Sequence, residues 1–590
     1  MQNNTVDVVS LCKEWAKNNL GEDFKFRPNQ LESCTYIIQN VLSNCKTQVM
    51  NAPTGSGKSI TAMICAGVLH KYFDKTSYIL VSDLSLFDQY VADFQRYGLD
   101  KEWGYLKGKD TYTCDLFNTC ISCGMCQLNQ VSAATLGNCT DEEARSMGYP
   151  CAIKCKYIQD RKKAISAPVT LMTYKLYLIQ RNYVADQLGS HAFDQRDFVI
   201  CDEAHKLNDI IQQHFAPTIP HTLPKFMQTL DEYAKTKDIK LDTSSLGDIA
   251  VKLVSSNNQD EIVEQMHRYE QILSGYTVIN EALRKEVKVN KTYKEYKKYL
   301  NAGNTARDAH CKFDDMFKLI KVLGNRIIVK TDNEKDTTIK CVYEGEMIQH
   351  YFHNKSGCEL MMSATMGNLD VYKIMVGLIH ASSKDYKKIV IPSTFDFSKS
   401  PIYYSTKNRM SYANKTKALP EIIKQIIHIC EKHKDERGII QTGNYENVNK
   451  LKEKLPRDLR NRIIFYFTSQ EKDKAIVDYL ASDNKILCGP TLLEGLNFEG
   501  DKCRFAICMK LPYASLADNF VKAKKAVYKD WYVSDVIARL EQGIGRLVRY
   551  NGDYGVMYIL DGCVSNIINN SSSRNLLSPT TLSRLVEYKD

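Results

Sequence analysis

The chain has no apolar run long enough to cross a bilayer. Its longest, such as Ile60–Leu69, are broken by polar residues and stop far short of the ~18 residues that crossing needs. Its first residues, Met1-Gln2-Asn3-Asn4, lack the basic-then-apolar pattern of a secretory signal. Internal repeats are absent, and no stretch departs far from ordinary globular composition, with 44% hydrophobic and 25% charged residues. Charge of one sign is in modest excess, +10 over 590 residues. That suits a polyanionic partner whose counterions a basic protein displaces, and it equally suits plain solubility. These absences argue against a membrane-spanning or secreted protein. A chain this long exceeds one core, and at ~150 residues per domain about four domains are expected.

Cysteine, by contrast, is plentiful. Twenty cysteines without a secretory signal point to a reducing compartment, where clustered thiols bind metal more often than they pair. The expected location is the cytoplasm (the host cytoplasm for a phage-encoded chain), or the nucleus in a eukaryote. Richness in Asn, Lys, Ile and Tyr is in keeping with an AT-rich genome such as a phage's.

Three segments carry chemistry. Asn51-Ala-Pro-Thr-Gly-Ser-Gly-Lys-Ser59 follows a short strand-like run, Gln48-Val-Met, and precedes an amphipathic stretch with Ile60, Met63, Ile64 and Val68 on one face. In such a loop the residues Thr54, Gly55, Ser56 and Gly57 close around a β-phosphate at a helix N-terminus. Lys58 would bind the β/γ oxygens of ATP, and the Ser59 hydroxyl would hold Mg²⁺. Asp202-Glu203-Ala204-His205 follows the apolar strand Phe198-Val-Ile-Cys201. A carboxylate at a strand's C-terminal end lies where open α/β sheets bind ligands. Asp202 would hold Mg²⁺, and Glu203 would orient and deprotonate the attacking water. Far downstream, Gln542, Arg546 and Arg549 are spaced i, i+4, i+7, which predicts one helical face, with Ile537, Leu540, Ile544 and Leu547 on another. Two guanidinium groups suit the charge that develops on a transferring phosphoryl group. With the phosphate loop in one half and the arginines in the other, the site closes only when two domains meet, so hydrolysis couples to movement.

Seven cysteines crowd between the first two motifs: Cys114, Cys120, Cys123, Cys126, Cys139, Cys151 and Cys155. Cys120-x2-Cys123-x2-Cys126 and Cys151-x3-Cys155 let several sulfurs converge on one centre. Spacing alone leaves tetrahedral Zn²⁺ and a 4Fe–4S cluster both open, beside scattered buried thiols with no metal.

Together these motifs resemble the XPD/DinG branch of superfamily 2 helicases, the iron–sulfur DNA helicases, in order and over most of the length. Phe26-Arg-Pro-Asn-Gln30 resembles the family's adenine-sensing segment, with Gln30 at the base-reading position. Ile79–Gln89 resembles the strand and loop that touch single-stranded DNA, and Ser363-Ala-Thr365 the motif that relays nucleotide state. Leu493-Glu-Gly-Leu-Asn-Phe498, Leu511-Pro512, Asp553 and Asp561 also follow the family's pattern. Departures are Asn497 where the family has Asp, a loose fourth motif at Gln441–Tyr445, and Ser393-Thr-Phe395 without the usual proline before the phenylalanine. No nuclease domain of the kind some relatives carry precedes the motor.

The resemblance implies a 4Fe–4S cluster, with Cys114, Cys126, Cys151 and Cys155 as ligands. Cys120, Cys123 and Cys139 are then surplus, and Cys123 or Cys120 could replace Cys126. Lys107, Lys109, Lys154, Lys156 and Lys162 surround the window and could grip a phosphate backbone. Between His205 and Ser363 the chain reads largely helical, with Glu261–Leu273 and Glu281–Leu300 both periodic, and resembles the family's arch domain. Within it, Arg284–Lys298 holds seven basic and two acidic residues beside Tyr293, Tyr296 and Tyr299, which suits either stacking on single strands or tyrosines packed on a solvated helix. A polar turn, Asp332–Asp336, lies between the strand-like runs Ile327–Val329 and Thr338–Tyr343.

The expected fold is α/β: two RecA-like motor domains, with an inserted iron–sulfur domain and an inserted helical arch. Motor domain 1 would occupy 1–105, 166–208 and 337–392, the cluster domain 106–165, the arch 209–336 and motor domain 2 393–590. The expected activity is ATP-dependent unwinding of forked duplex by a monomeric motor moving 5′→3′ on single-stranded DNA, with protein loaders unknown and no membrane partner. Two rivals are a DNA-stimulated remodeller without processive unwinding, and a zinc-stabilised nucleic-acid-binding protein with a vestigial motor.

Overall fold

A computed structural model describes residues 7–53, 55–114, 119–120, 140–146, 153–184, 193–220, 223–239, 256, 258–290, 293–324, 328–332, 336–493, 498, 500–550 and 552–588. Two seven-stranded sheets organise them. The first consists of β1 (Thr47–Asn51), β2 (Ser77–Val81), β3 (Gly104–Leu106), β4 (Val169–Thr173), β5 (Phe198–Asp202), β6 (Cys358–Ser363) and β7 (Tyr386–Val390), in the order β7-β1-β6-β5-β2-β4-β3, with every pair parallel. Short apolar runs such as Phe198-Val-Ile-Cys are buried throughout, as strands covered on both faces require. Alternation divides their side chains: Ile79 and Val81 join the core on one side of the sheet, Tyr78 and Leu80 the core on the other.

Chain order and strand order diverge where segments are inserted. Between β3 and β4 lie the strand pair Thr113–Cys114 and Thr119–Cys120 and the helices Asp141–Ser146 and Lys156–Ser166. Between β5 and β6 lie helix Leu223–Thr236 and two long helices, Gln259–Asn290 and Tyr293–Leu323. The two long helices run antiparallel: His267 stacks on Phe317 at 3.9 Å, Tyr269 meets Phe313 at 5.2 Å, and Arg284 reaches Asn304. The periodic segment Glu281–Leu300 is therefore not one helix but the end of the first and the start of the second. The runs flanking the polar turn are antiparallel strands, Ile328–Asp332 and Asp336–Cys341, and the latter also pairs with Thr218–Pro220.

The second sheet contains β8 (Ile402–Tyr404), β9 (Gly438–Gln441), β10 (Ile463–Phe465), β11 (Ile486–Gly489), β12 (Phe505–Cys508), β13 (Val556–Ile559) and β14 (Leu585–Glu587), all parallel in the order β10-β11-β9-β12-β13-β8-β14. Asp561, just beyond β13, is buried and accepts from the backbone N–H of Met410, Leu511 and Cys563, so it ties three segments together. Asp553 pairs with Arg504 at 2.7 Å. These two aspartates hold the second sheet's loops.

The helix after the phosphate loop, Lys58–Phe73, differs from expectation. It is buried on every side from Thr61 to Leu69 rather than along one stripe. Helix Val8–Leu20 covers its outer face, and Trp15 lies so close that a Cβ on Gly67 would fall 2.2 Å from the indole. A covered helix has no polar face to keep.

Candidate active site

Parallel pairing sets the three motor segments at one sheet edge. In register, Asn51 lies beside Ser363 and Met362 beside Asp202, so the phosphate loop, the acidic segment and the Ser-Ala-Thr segment leave adjacent strands β1, β5 and β6 at their C-terminal ends.

Gly55 and Gly57 both take positive φ, +83° and +84°, which side chains rarely adopt. A Cβ on Gly57 would strike the Gln30 amide at 2.6 Å, and one on Gly55 would strike the Phe395 ring at 2.7 Å. Gln30, buried, donates to the Gly57 carbonyl at 3.1 Å and accepts from the Arg27 N–H, while the Arg27 guanidinium donates to the Gly55 carbonyl. The expected base-reading residue thus braces the loop itself. Lys58 Nζ lies 3.4 Å from the Ala52 carbonyl, and the buried Ser56 hydroxyl has no partner among the described residues. A cation and an unsatisfied hydroxyl around a glycine loop suit a phosphate. Thr54 lies outside the described residues.

The carboxylates differ in surroundings. Asp202 is buried; burial and the adjoining Glu203 charge push its pKa up to about 6, against the pull of Lys58. Its Oδ2 accepts from the Tyr90 hydroxyl at 2.8 Å, and the Ser59 side chain reaches the same phenol. A buried carboxylate raised by a second carboxylate, with a serine hydroxyl nearby, is a hard-oxygen donor set that suits Mg²⁺. Glu203 adopts a left-handed backbone, φ +53°, which turns the chain sharply after β5. Burial alone would raise its pKa, but the hydrogen bond to His205, the Lys58 charge and Ser363 bring it down to about 2. Its Oε2 lies 3.1 Å from His205 Nδ1 and accepts from Ser363 at 3.0 Å, and the Thr365 N–H donates to that same serine oxygen. The Ser-Ala-Thr segment is therefore wired to Glu203 through one hydroxyl.

Across from Glu203 the second sheet supplies Gln542 and Arg546, and these three line one cleft of about 820 Å³. The expected shared helical face is not formed. The helix Trp531–Ile544 ends before Arg546, and the next N–H groups of Arg546 and Leu547 bond back only three residues. Glycines at 543 and 545 favour that end, since glycine is among the poorest helix formers. The Arg549 N–H bonds to Asp553 at 2.9 Å, and the Arg549 carbonyl lies 3.6 Å from a Cβ placed on Gly55. Arg546, held to the Leu493 carbonyl, and Arg549 thus come to the site from different sides of a turn. Ile537, Leu540, Ile544 and Leu547 are buried as expected.

Tyr90, Arg27 and Phe395 belong to the site although no motif pointed to them. Gln89 and Gln30 lie within three residues of the first two, but nothing in their spacing gives the contact.

Of the four cluster ligands, Cys126 and Cys151 lie outside the described residues, as do Cys123 and Cys139. Cys114 and Cys155 are half-buried against the same core, where Tyr112 meets Tyr157 edge-on at 5.3 Å. The two ends of the window are thereby brought together, as a shared centre would need. Among the described residues no group of three or more His, Cys, Asp or Glu side chains is placed to hold a metal. Three of the five lysines expected to grip phosphates face carboxylates instead: Lys107 with Asp88 at 2.6 Å, Lys156 with Asp160 at 2.7 Å, and Lys162 with Asp141 at 4.0 Å. Tyr299 packs on Tyr233 at 5.4 Å under Lys298, so that tyrosine is a packing residue.

Residues 426–578 match the family described as "Helicase C-terminal domain", and residues 23–237 match "Type III restriction enzyme, res subunit". The chain is 22% identical to the ATP-dependent DNA helicase YoaA of Haemophilus influenzae, over 95% of this chain and 94% of that protein. It is 20% identical to the 3'-5' exonuclease DinG of Staphylococcus epidermidis, over 92% of this chain and 68% of that protein. Among solved structures, one titled "XPD_Helicase" aligns with a TM-score of 0.59 at 13% identity, covering 96% of this chain and 100% of its own, and S. tokodaii Xpd4 with 0.58 at 13% identity, covering 95% and 100%.

Proposed function

We infer that this chain, an XPD/DinG-like superfamily 2 helicase, is an ATP-hydrolysing DNA motor that moves along one strand and separates duplex ahead of it. The observation that carries the reading is the meeting of two half-sites: Lys58, Asp202 and Glu203 at one sheet edge, with Gln542 and Arg546 facing Glu203 across the cleft.

In this reading the loop amides and Ser56 hold the phosphates, Lys58 neutralises the β/γ oxygens, and Ser59 and Asp202 hold Mg²⁺. The metal, when bound, would offset charge on the phosphate oxygens. Glu203, held ionised by His205 and Lys58, orients the attacking water; at a pKa of about 2 it is a weak acceptor for that water's proton. Arg546 and Arg549 stabilise charge on the transferring group, and Gln542 positions it. Ser363 touches Glu203 and Thr365, so a change at the carboxylate reaches the Ser-Ala-Thr segment directly.

The finer assignments follow the resemblance. The insertion between β3 and β4 would carry a 4Fe–4S cluster on Cys114, Cys126, Cys151 and Cys155, and the antiparallel helices after β5 would form the arch. Residues 1–105, 166–208 and 337–392 would make motor domain 1, and 393–590 motor domain 2. Polarity would be 5′→3′, on single-stranded and forked DNA, as a monomer in the cytoplasm. No described helix is long and apolar enough to cross a membrane.

A forked-duplex assay on the purified chain tests the core of this reading. Strand separation should require ATP and vanish in Lys58→Ala; ATPase without separation would instead favour a remodeller. Anaerobically purified protein should be brown with a broad visible band, and a colourless, zinc-loaded protein would overturn the cluster.

A further inference from the structure

We propose that the two long helices carry a second phosphate-binding pocket, one that takes a nucleotide unit. A cavity of about 460 Å³ opens between Gln259–Asn290 and Tyr293–Leu323, far in sequence from every motor motif. Arg284, Lys285 and Arg307 line it against one lining carboxylate, Glu281, with Asp308 3.2 Å from Arg307 at the exposed rim. His310 also lines it but is engaged by Glu270 at 2.8 Å. Arg284 spends one nitrogen on Asn304 Oδ1 at 2.5 Å, while its Nε is buried and without a partner among the described residues. Burial, together with repulsion from Arg307, lowers its pKa, so a bound anion would relieve both.

The floor of the pocket selects further. Asn280 is 2% exposed; its Nδ2 donates to Asn304 at 3.4 Å, and its Oδ1 has no partner among the described residues. Gly303 faces it, and a Cβ there would fall 2.5 Å from that oxygen. The pocket thus pairs donors and positive charge with one buried acceptor. A bare anion would leave the acceptor unsatisfied, and a cation would meet the arginines. A phosphate joined to a group bearing N–H or O–H satisfies both, and the volume lies at the small end of ligand sites. A nucleotide has this chemistry, whether free or as one unit of a DNA strand. The inference stands independently of the motor reading.

The test uses the full chain carrying Lys58→Ala, which disables the motor's phosphate loop, with and without Lys285→Ala/Arg307→Ala. Both added substitutions fall on exposed residues, so folding is spared. A fluorescent adenosine monophosphate, a labelled oligothymidylate and inorganic phosphate are titrated in turn. Saturable monophosphate binding weakened about tenfold or more by the double substitution identifies a free nucleotide as the occupant. Oligothymidylate binding weakened at least about threefold, with a shallower salt dependence and no monophosphate binding, identifies a strand. Unchanged binding of both probes overturns the pocket, and so does inorganic phosphate competing as well as the nucleotide.

Discussion

Removing the charge of Lys524 should open the cleft between the two motor sheets. Lys524, on helix Asn519–Val527, pairs at 2.7 Å with Glu344, whose helix lies between β5 and β6; their side chains are 7% and 2% exposed. Asn208 donates to the same Glu344 oxygen at 2.8 Å, and the other oxygen, Oε1, is buried without a partner among the described residues. In Lys524→Ala the carboxylate keeps one amide donor in place of a cation. Stranding a buried charge in this way costs ~3–5 kcal/mol. The protein need not bear that cost by unfolding, because separating the two halves lets water reach Glu344. The loss should therefore appear as opening: at ~3 kcal/mol, the closed-to-open ratio falls by about two powers of ten. Trp531 reports it. Lys524 lies 4.3 Å over that indole, whereas Trp15 and Trp103 are buried within the first sheet's core. Lys524→Ala should shift tryptophan emission to the red and raise the KM for ATP. Adding Glu344→Gln should recover most of both, since an amide is far cheaper to bury. An emission unchanged in Lys524→Ala, or a double variant no better than the single one, would refute this reasoning.

Three further outcomes are expected. Arg546→Ala should lower ATPase kcat by ~10³ with KM for ATP nearly unchanged, measured by phosphate release, because Arg546 faces Glu203 and not the glycine loop. Tyr90→Phe removes the 2.8 Å donor to Asp202, and hydrogen bonds to charged groups are worth ~1.5–3 kcal/mol, so the Mg²⁺ needed for half-maximal ATPase should rise by about tenfold. The buried His353, 2.7 Å from Glu359, is pulled down by burial but raised overall by Glu359 and the Val376 carbonyl. A histidine raised on folding stabilises fully below its unfolded pKa of about 6.5 and loses that contribution as pH climbs through the folded value. Melting temperature should accordingly fall from pH 6.5 upward in the native chain, and stay flatter in His353→Gln.

Motif chemistry was legible because it is local. A glycine loop after a short strand, and a carboxylate at the end of Phe198-Val-Ile-Cys201, each need only neighbouring residues to form. Helical period was a weaker guide. The spacing of Gln542, Arg546 and Arg549 matched one face, yet Gly543 and Gly545 and the pull of Asp553 on the Arg549 N–H end the helix first. The helix Lys58–Phe73 looked amphipathic, but packing beneath Trp15 buried all its sides. Solvated lysines and packed ones read alike in a sequence, and Lys107 and Lys156 proved to be paired.

The sequence by itself determined the kind of chemistry: a phosphate loop, a metal-binding acidic segment and distant arginines, interrupted by clustered thiols. Only the tertiary structure decided which residues meet. Parallel register set Asn51 beside Ser363 and Met362 beside Asp202, which turned three separated segments into one edge. Burial then divided two adjacent carboxylates, one up to about 6 and the other down to about 2. The reason is physical: burial and Coulomb energies depend on distances in space, and separation along the chain carries almost no information about them once segments are inserted between strands.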